Sequence, residues 1–120
     1  MKSGEMSEND KKLAELLQKA GLSRNVAKTL AYMHNREEVI SVEIEKNTGL
    51  RQPEVSIAMK YLREKGWIVK RDIKKEGKGR PVHGYKLAKP FPKILEEIEK
   101  ELRGRIKDIE NVIKNLKNLS

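Results

Sequence analysis

Gly49, Pro53 and Gly66 punctuate the middle of this chain, and their spacing leaves few ways to fold it. Before Gly49, Ser41 is expected to cap a short helix through Val42, Ile44 and Glu45 to Thr48. Glycine is favoured just past a helix C-terminus because it enters the left-handed region without strain. Pro53 suits the first turn of a second helix, where its missing N–H would have no partner. From there Val55, Met59 and Leu62 recur at helical spacing until Gly66 stops the run after Lys65. Two short helices joined by so tight a turn cannot be collinear, and the arrangement reads as a helix-turn-helix.

What flanks this unit extends it. Glu8 to Ala20 carries Leu13, Leu16, Leu17 and Ala20 at helical spacing, closed by Gly21. Ser23 is placed to cap the next helix, with Val26, Ala27, Leu30, Ala31 and Met33 or His34 on its apolar face. Asn35 to Glu38 breaks the pattern before a short extended Val39-Ile40. After Gly66, Trp67 to Ile73 is rich in β-formers, and Trp67 is expected in the core. Lys74 to Pro81 is a basic, glycine-punctuated loop, and Val82 to Leu87 returns as a strand with His83, Tyr85 and Leu87 on one face. A hairpin placed directly after the second helix is a wing.

Pro90 and Pro92 open a last helix of about 30 residues, roughly 45 Å long at the standard rise. Leu95, Ile98, Leu102, Ile109, Val112, Leu116 and Leu119 form its seam, interrupted at Arg105 and flanked by Ile94, Ile106 and Ile113. The interruption also leaves open a bend at Gly104. Such a helix cannot bury a continuous stripe against itself, so pairing with a second chain is expected. The fold class expected is mainly α with a small β-hairpin, divided as 1–22, a winged helix-turn-helix over 23–89, and a dimerisation helix over 90–120. Leu13, Leu16 and Leu17 of the first helix are expected to support the dimer, with the last helices paired antiparallel.

Charge indicates what the middle unit meets. The net charge is +9, and residues 51 to 89 hold twelve Lys or Arg against four acids, so +8 of it lies in one third of the chain. Such concentration points to an acidic partner rather than to general solubility. With Val55, Met59 and Leu62 turned inward, Gln52, Pro53, Ser56, Ile57 and Lys60 fall on the outer side of their helix. Gln52 can bond adenine, Ser56 a base or phosphate, and Ile57 a thymine methyl, although lateral packing is the commoner role for such an isoleucine. Arg51 and Lys60 are better placed on phosphates. Lys74, Lys75 and Lys78 would neutralise phosphates from the hairpin, and Arg80, between Gly79 and Pro81, suits the minor groove.

The segment TGLRQPEVSIAMKYLREKGWI resembles the helix-turn-helix of MarR-like, ArsR-like and TrmB-like winged-helix regulators. EGKGRPVHGYKL resembles the wing of archaeal members, where Gly-Arg-Pro is followed by an aromatic residue and Leu. The resemblance covers about Ser23 to Lys89 and implies that Gln52, Ser56, Lys60 and Arg80 sit at DNA-contacting positions. Many relatives carry a basic residue where this chain has Ile57. The metal-binding Cys/His pattern of the ArsR type is missing, which speaks against metal sensing.

Other classes find no support in the residues. There are no cysteines, so disulfides and thiolate chemistry are excluded. His34 and His83 are not placed together, the carboxylates are scattered through helices, and no Ser lies in a nucleophile motif. No catalytic residue, metal site or cofactor is therefore expected. No stretch matches a signal peptide or membrane span, which suggests a cytoplasmic protein. Abundant Lys and Glu with two Gln fit a thermophilic source. The expected partners are double-stranded DNA and a second copy of the chain, as a sequence-specific regulator, with repression by occlusion the favoured sign. An effector has no separate domain and would have to bind between the helices of the dimer. Two rivals stay open: an architectural chromatin protein reading mainly backbone, and a protein–protein module of the transcription machinery.

Overall fold

The computed structural model describes residues 4–73 and 82–120. Its elements are α1 (Glu8–Lys19), α2 (Arg24–Met33), β1 (Val39–Ile40), α3 (Ser41–Thr48), α4 (Gln52–Glu64), β2 (Ile68–Ile73), β3 (Val82–Leu87) and α5 (Phe91–Leu119). They divide into two compact units, Met1–Lys89 and Pro90–Ser120. The first is a winged helix-turn-helix: mainly helical, with a small antiparallel sheet ordered β1-β3-β2.

Each helix of the first unit starts and stops for a local reason. Ser7 and Asp10 form a reciprocal capping box at the head of α1, each side chain accepting from the other's backbone N–H at 3.1 Å. Ser23 caps α2, its Oγ accepting from Val26 at 3.3 Å. At α3 the cap moves by one residue from the expected Ser41: Ile40 is the N-cap and has no side-chain oxygen. The Glu43 carboxylate takes over by accepting from the Ile40 N–H at 3.2 Å, so a residue inside the first turn does the work of a cap. Glu54 does the same for the Arg51 N–H at the head of α4, at 2.8 Å. Gly49 and Gly66 stand at φ 77° and 78°, the left-handed geometry that ends a helix abruptly.

α2 is the centre of this unit, with seven of its ten residues buried, and it packs against α1, α3 and α4. Val55, Ala58, Met59 and Leu62 form the inner face of α4, and Trp67 is wholly buried. The Trp67 ring stands edge-on to Tyr61 at 6.4 Å. Of the α1 leucines expected to support a dimer, Leu17 lies in the core of this unit and Leu16 faces outward. Ala14 and Leu17 are buried, whereas Leu16 is 61% exposed.

Two polar arrangements inside this unit lie outside the apolar pattern. Asp10 is buried with its carboxylate 3.4 Å from the Arg36 guanidinium, which also stacks 3.8 Å over the Tyr32 ring. Arg36 further donates to the Tyr32 carbonyl and, at 3.3 Å, to that of Glu5. On its other side, the Tyr32 hydroxyl donates to Glu43 at 2.9 Å and accepts from Asn47 at 3.0 Å. One buried phenol therefore joins the start of α1 and the end of α2 to α3.

The sheet gains a strand beyond the expected hairpin. Val39 and Ile40 pair with Tyr85 and Gly84, so β3 is central, with β2 on its other side from Ile68↔Leu87 to Ile73↔Val82. The basic loop between β2 and β3, with Lys74, Lys75, Lys78 and Arg80, lies outside the described residues.

The second unit is α5, a helix of 29 residues that continues through Gly104. Ile94 and Ile98 are buried. Leu102 is half-buried, and every residue from Arg103 to Ser120 is exposed.

Burial first, then the hydrogen bond to Glu43, raises the Tyr32 phenol above its ordinary value. An unfolded chain releases that proton near pH 10 while the folded chain still holds it. Stability is therefore expected to fall as pH rises beyond about 10. Tyr32→Phe is expected to lower stability at neutral pH by about 1–3 kcal/mol and to flatten part of this alkaline decline. Urea unfolding at pH 7, 10 and 11 measures both effects.

Candidate nucleic-acid interface

The turn between α3 and α4 sets the direction of the outer helix. Thr48 Oγ donates back to the Ile44 carbonyl at 2.6 Å and accepts from the Leu50 N–H at 3.2 Å. Leu50 is buried, so the turn is pinned from below while Gly49 reverses the backbone. Val55, Ala58, Met59 and Leu62 then hold α4 by one face. Its opposite face presents Arg51, Gln52, Pro53, Ser56, Ile57 and Lys60, all exposed.

Several of these side chains are already tied to neighbours. Gln52 Nε2 donates to Ser56 Oγ at 3.1 Å, so the two polar groups nearest the helix start act as one unit. Ile57 is 64% exposed, an unusual state for an isoleucine that has no lateral neighbour to cover it. Glu54, the one acid at the start of this helix, is engaged by its cap and by Arg24 at 3.9 Å. Its charge is thus directed toward the helix N-terminus and a cation, where it is favourable.

Beside this face runs a groove of about 940 Å³ between α4 and β2. Lys60, Arg63, Lys70 and Arg71 line it together with His83 and the acids Glu64 and Asp72. Arg63, Lys70 and Arg71 entered the sequence reading only through the charge count. The signal that placed them was available: Lys60 and Arg63 are three apart on a helix, so they share a face.

The cations along the groove are not equivalent. The Arg71 guanidinium grips the Glu38 carboxylate with two bonds, at 2.6 and 2.9 Å. The hydrogen bond from Arg71 holds the Glu38 carboxyl below the usual range and raises Arg71 in turn. Glu38 precedes β1 and Arg71 lies on β2, so the pair reaches across the central strand. It crosses at Gly84, which is in register with Arg71. A Cβ on Gly84 would lie 2.6 Å from Ile73 Cδ1 and 3.0 Å from Glu38 Oε2, so the missing side chain is what gives the pair its passage. Asp72 and His83 form a second cross-strand pair at 2.8 Å.

Among the described residues, no group of three or more His, Cys, Asp or Glu could hold a metal ion, and no helix is long and apolar enough to cross a membrane. The residues named for pairing on α5 are divided by the structure. Leu95, Ile109, Val112 and Leu116 are exposed, Leu102 is half-buried and Ile98 is buried.

No family model matches this sequence, and no curated protein matches it. Among solved structures, the chain is similar to S. aureus MepR in its DNA-binding conformation. The two share 19% identity with a TM-score of 0.49, over 92% of this chain and 86% of that one.

Proposed function

We propose that this protein is a homodimeric, sequence-specific double-stranded DNA-binding regulator of transcription. The observation that carries the reading is the outer face of α4. Arg51, Gln52, Ser56, Ile57 and Lys60 stand exposed on a rigidly held helix, beside a groove lined by four cations. Such a helix fits the major groove with its first turns toward the bases. Gln52 and Ser56 serve as base readers, Ile57 as a contact for a thymine methyl, and Arg51, Lys60, Arg63 and Lys70 as phosphate contacts. The wing would add Lys74, Lys75 and Lys78 on the backbone and Arg80 in the minor groove. Repression by occlusion of a promoter is the favoured sign of regulation.

The exposed apolar side chains of α5 support a dimer. Ile106, Ile109, Val112, Ile113 and Leu116 are each about half exposed or more, a stripe that water does not tolerate cheaply along one helix. Two copies would address half-sites about 34 Å apart, or a multiple of that.

The reading is tested by selecting sites from random duplex and competing the winner against unselected duplex. A specificity ratio of at least about 10³ is expected; a ratio near one would replace the regulator with an architectural protein that reads backbone. Lack of any duplex binding at low salt would sink DNA binding itself and favour the protein–protein module. Lys60→Ala combined with Arg63→Ala should flatten the slope of log K against log salt by about 2. Glu38→Gln should act in the opposite direction. It releases Arg71 toward phosphate, strengthens binding and steepens that slope by up to about 0.9. Leu102→Glu with Ile109→Glu should yield monomers in sedimentation, and a persistent dimer would put the interface elsewhere.

A further inference from the structure

Apolar residues run along the whole of α5, and their spacing changes partway along the helix. Ile94 and Ile98 are buried and spaced by four, and Leu102 continues that row half-buried. Beyond it a new row begins in the exposed part. Leu102, Ile106, Ile109, Ile113 and Leu116 follow steps of four, three, four and three. The mean spacing is that of a heptad, at which one helix keeps the same face toward another. Traced through Ile106 and Ile113, the row has no fault, because Arg105 falls beside the seam instead of in it.

We propose that Leu102 to Leu116 of α5 forms a parallel, in-register, two-stranded coiled coil with the same segment of a second copy. This rests on the homodimer reading and adds its orientation, register and strand number. In heptad terms Ile106 and Ile113 occupy a, while Leu102, Ile109 and Leu116 occupy d. β-branched residues at a, with leucine at two of the three d positions, favour two parallel strands. The outward positions are polar apart from Gly104: Lys107, Asp108, Asn111, Lys114, Asn115 and Asn118.

Charge selects the direction. In a parallel pair each g residue faces the e residue five places later on the other helix. Here g is Arg105 and the facing e is Glu110, an opposite-charge pair that symmetry makes twice. The antiparallel register that overlaps Ile106 to Leu116 instead sets Glu110 against its own copy and Arg103 against Lys117, which are repulsions. The neighbouring antiparallel register does pair Arg103 with Glu110, but it drops Leu116 from the seam, so there the lost apolar layer and not charge favours the parallel coil. The parallel coil spans 15 residues, about 22 Å.

The chain has no cysteine, so Leu102→Cys and Leu116→Cys each introduce a single thiol into the full-length protein. In a parallel in-register pair each thiol meets its own copy. Copper–phenanthroline oxidation should therefore link both variants into covalent dimers, and leave the outward Asn111→Cys unlinked. An antiparallel pair has one crossing point and cannot link both ends to themselves. Linkage at one end or neither, in variants that still sediment as dimers, overturns the parallel coil and leaves the homodimer standing. Trimers or tetramers in sedimentation overturn the two-stranded coil, and a monomeric unmodified chain overturns the homodimer as well.

A surface exchange serves where a core cysteine weakens association. Glu110→Arg should loosen the dimer roughly fivefold, and adding Arg105→Glu should restore it. Failure to restore overturns the proposed register.

Discussion

The three residues Thr48, Gly49 and Leu50 hold the constraint on which the first unit depends. A helix that must turn sharply into another has carbonyls to satisfy, a backbone to reverse and a corner to seal. Thr48 satisfies the first demand by bonding back to Ile44, Gly49 the second by its left-handed φ, and Leu50 the third by burial. Once that corner is set, the inner face of α4 has one orientation against α2. The outward set of Gln52, Ser56, Ile57 and Lys60 follows from the same geometry. The candidate interface is thus a consequence of how the core closes, since the residues that face outward are those left over by Val55, Ala58, Met59 and Leu62.

Much of this was legible because it is local. Helix stops at glycine, a proline in the first turn and an apolar period of three to four are written within a few residues of where they act. What was not legible depends on chain segments far apart. Nothing near Val39 announces that it will pair with Tyr85 and make β3 a central strand. The burial of Asp10 follows from Arg36, 26 positions away, and a lone aspartate in a first helical turn looks like an ordinary exposed acid. Leu16 and Leu17 show how packing divides two neighbouring leucines. Ala14 and Leu17 fill the contact with α2, which turns a larger hydrophobic residue outward; hydrophobicity suggested the stripe, but packing chose its centre.

The charge count illustrates the same division at the candidate interface. Summed over residues 51 to 89 the excess is +8, and every cation contributes equally to such a sum. In three dimensions they differ. Arg71 is held by a carboxylate from outside that segment, so the count overstates its share of the field that a phosphate would feel. Lys60, Arg63 and Lys70 share a groove with the exposed face of α4, so their fields add where the helix would meet a partner. The Glu38–Arg71 pair has a structural role besides: it straps the approach to β1 across Gly84 to the outer strand. A cation at the rim of the interface is thereby spent on holding the wing together.

α5 poses the reverse problem, an apolar pattern with more hydrophobic residues than one face can use. A straight helix drifts by about 20° per heptad relative to a seven-residue repeat, so a single stripe over 29 residues has to wander or be interrupted. The apolar residues of this helix follow two spacings. Ile94 and Ile98, spaced by four, form a row that is buried within the chain. The row from Leu102 to Leu116 advances by 3.5 residues on average and is left exposed. Leu102 belongs to both, and its intermediate burial is what a residue at the crossover should show. Read as one seam, the helix had a polar fault at Arg105; read as two, Arg105 lies at the flank of the second, where a charge is useful.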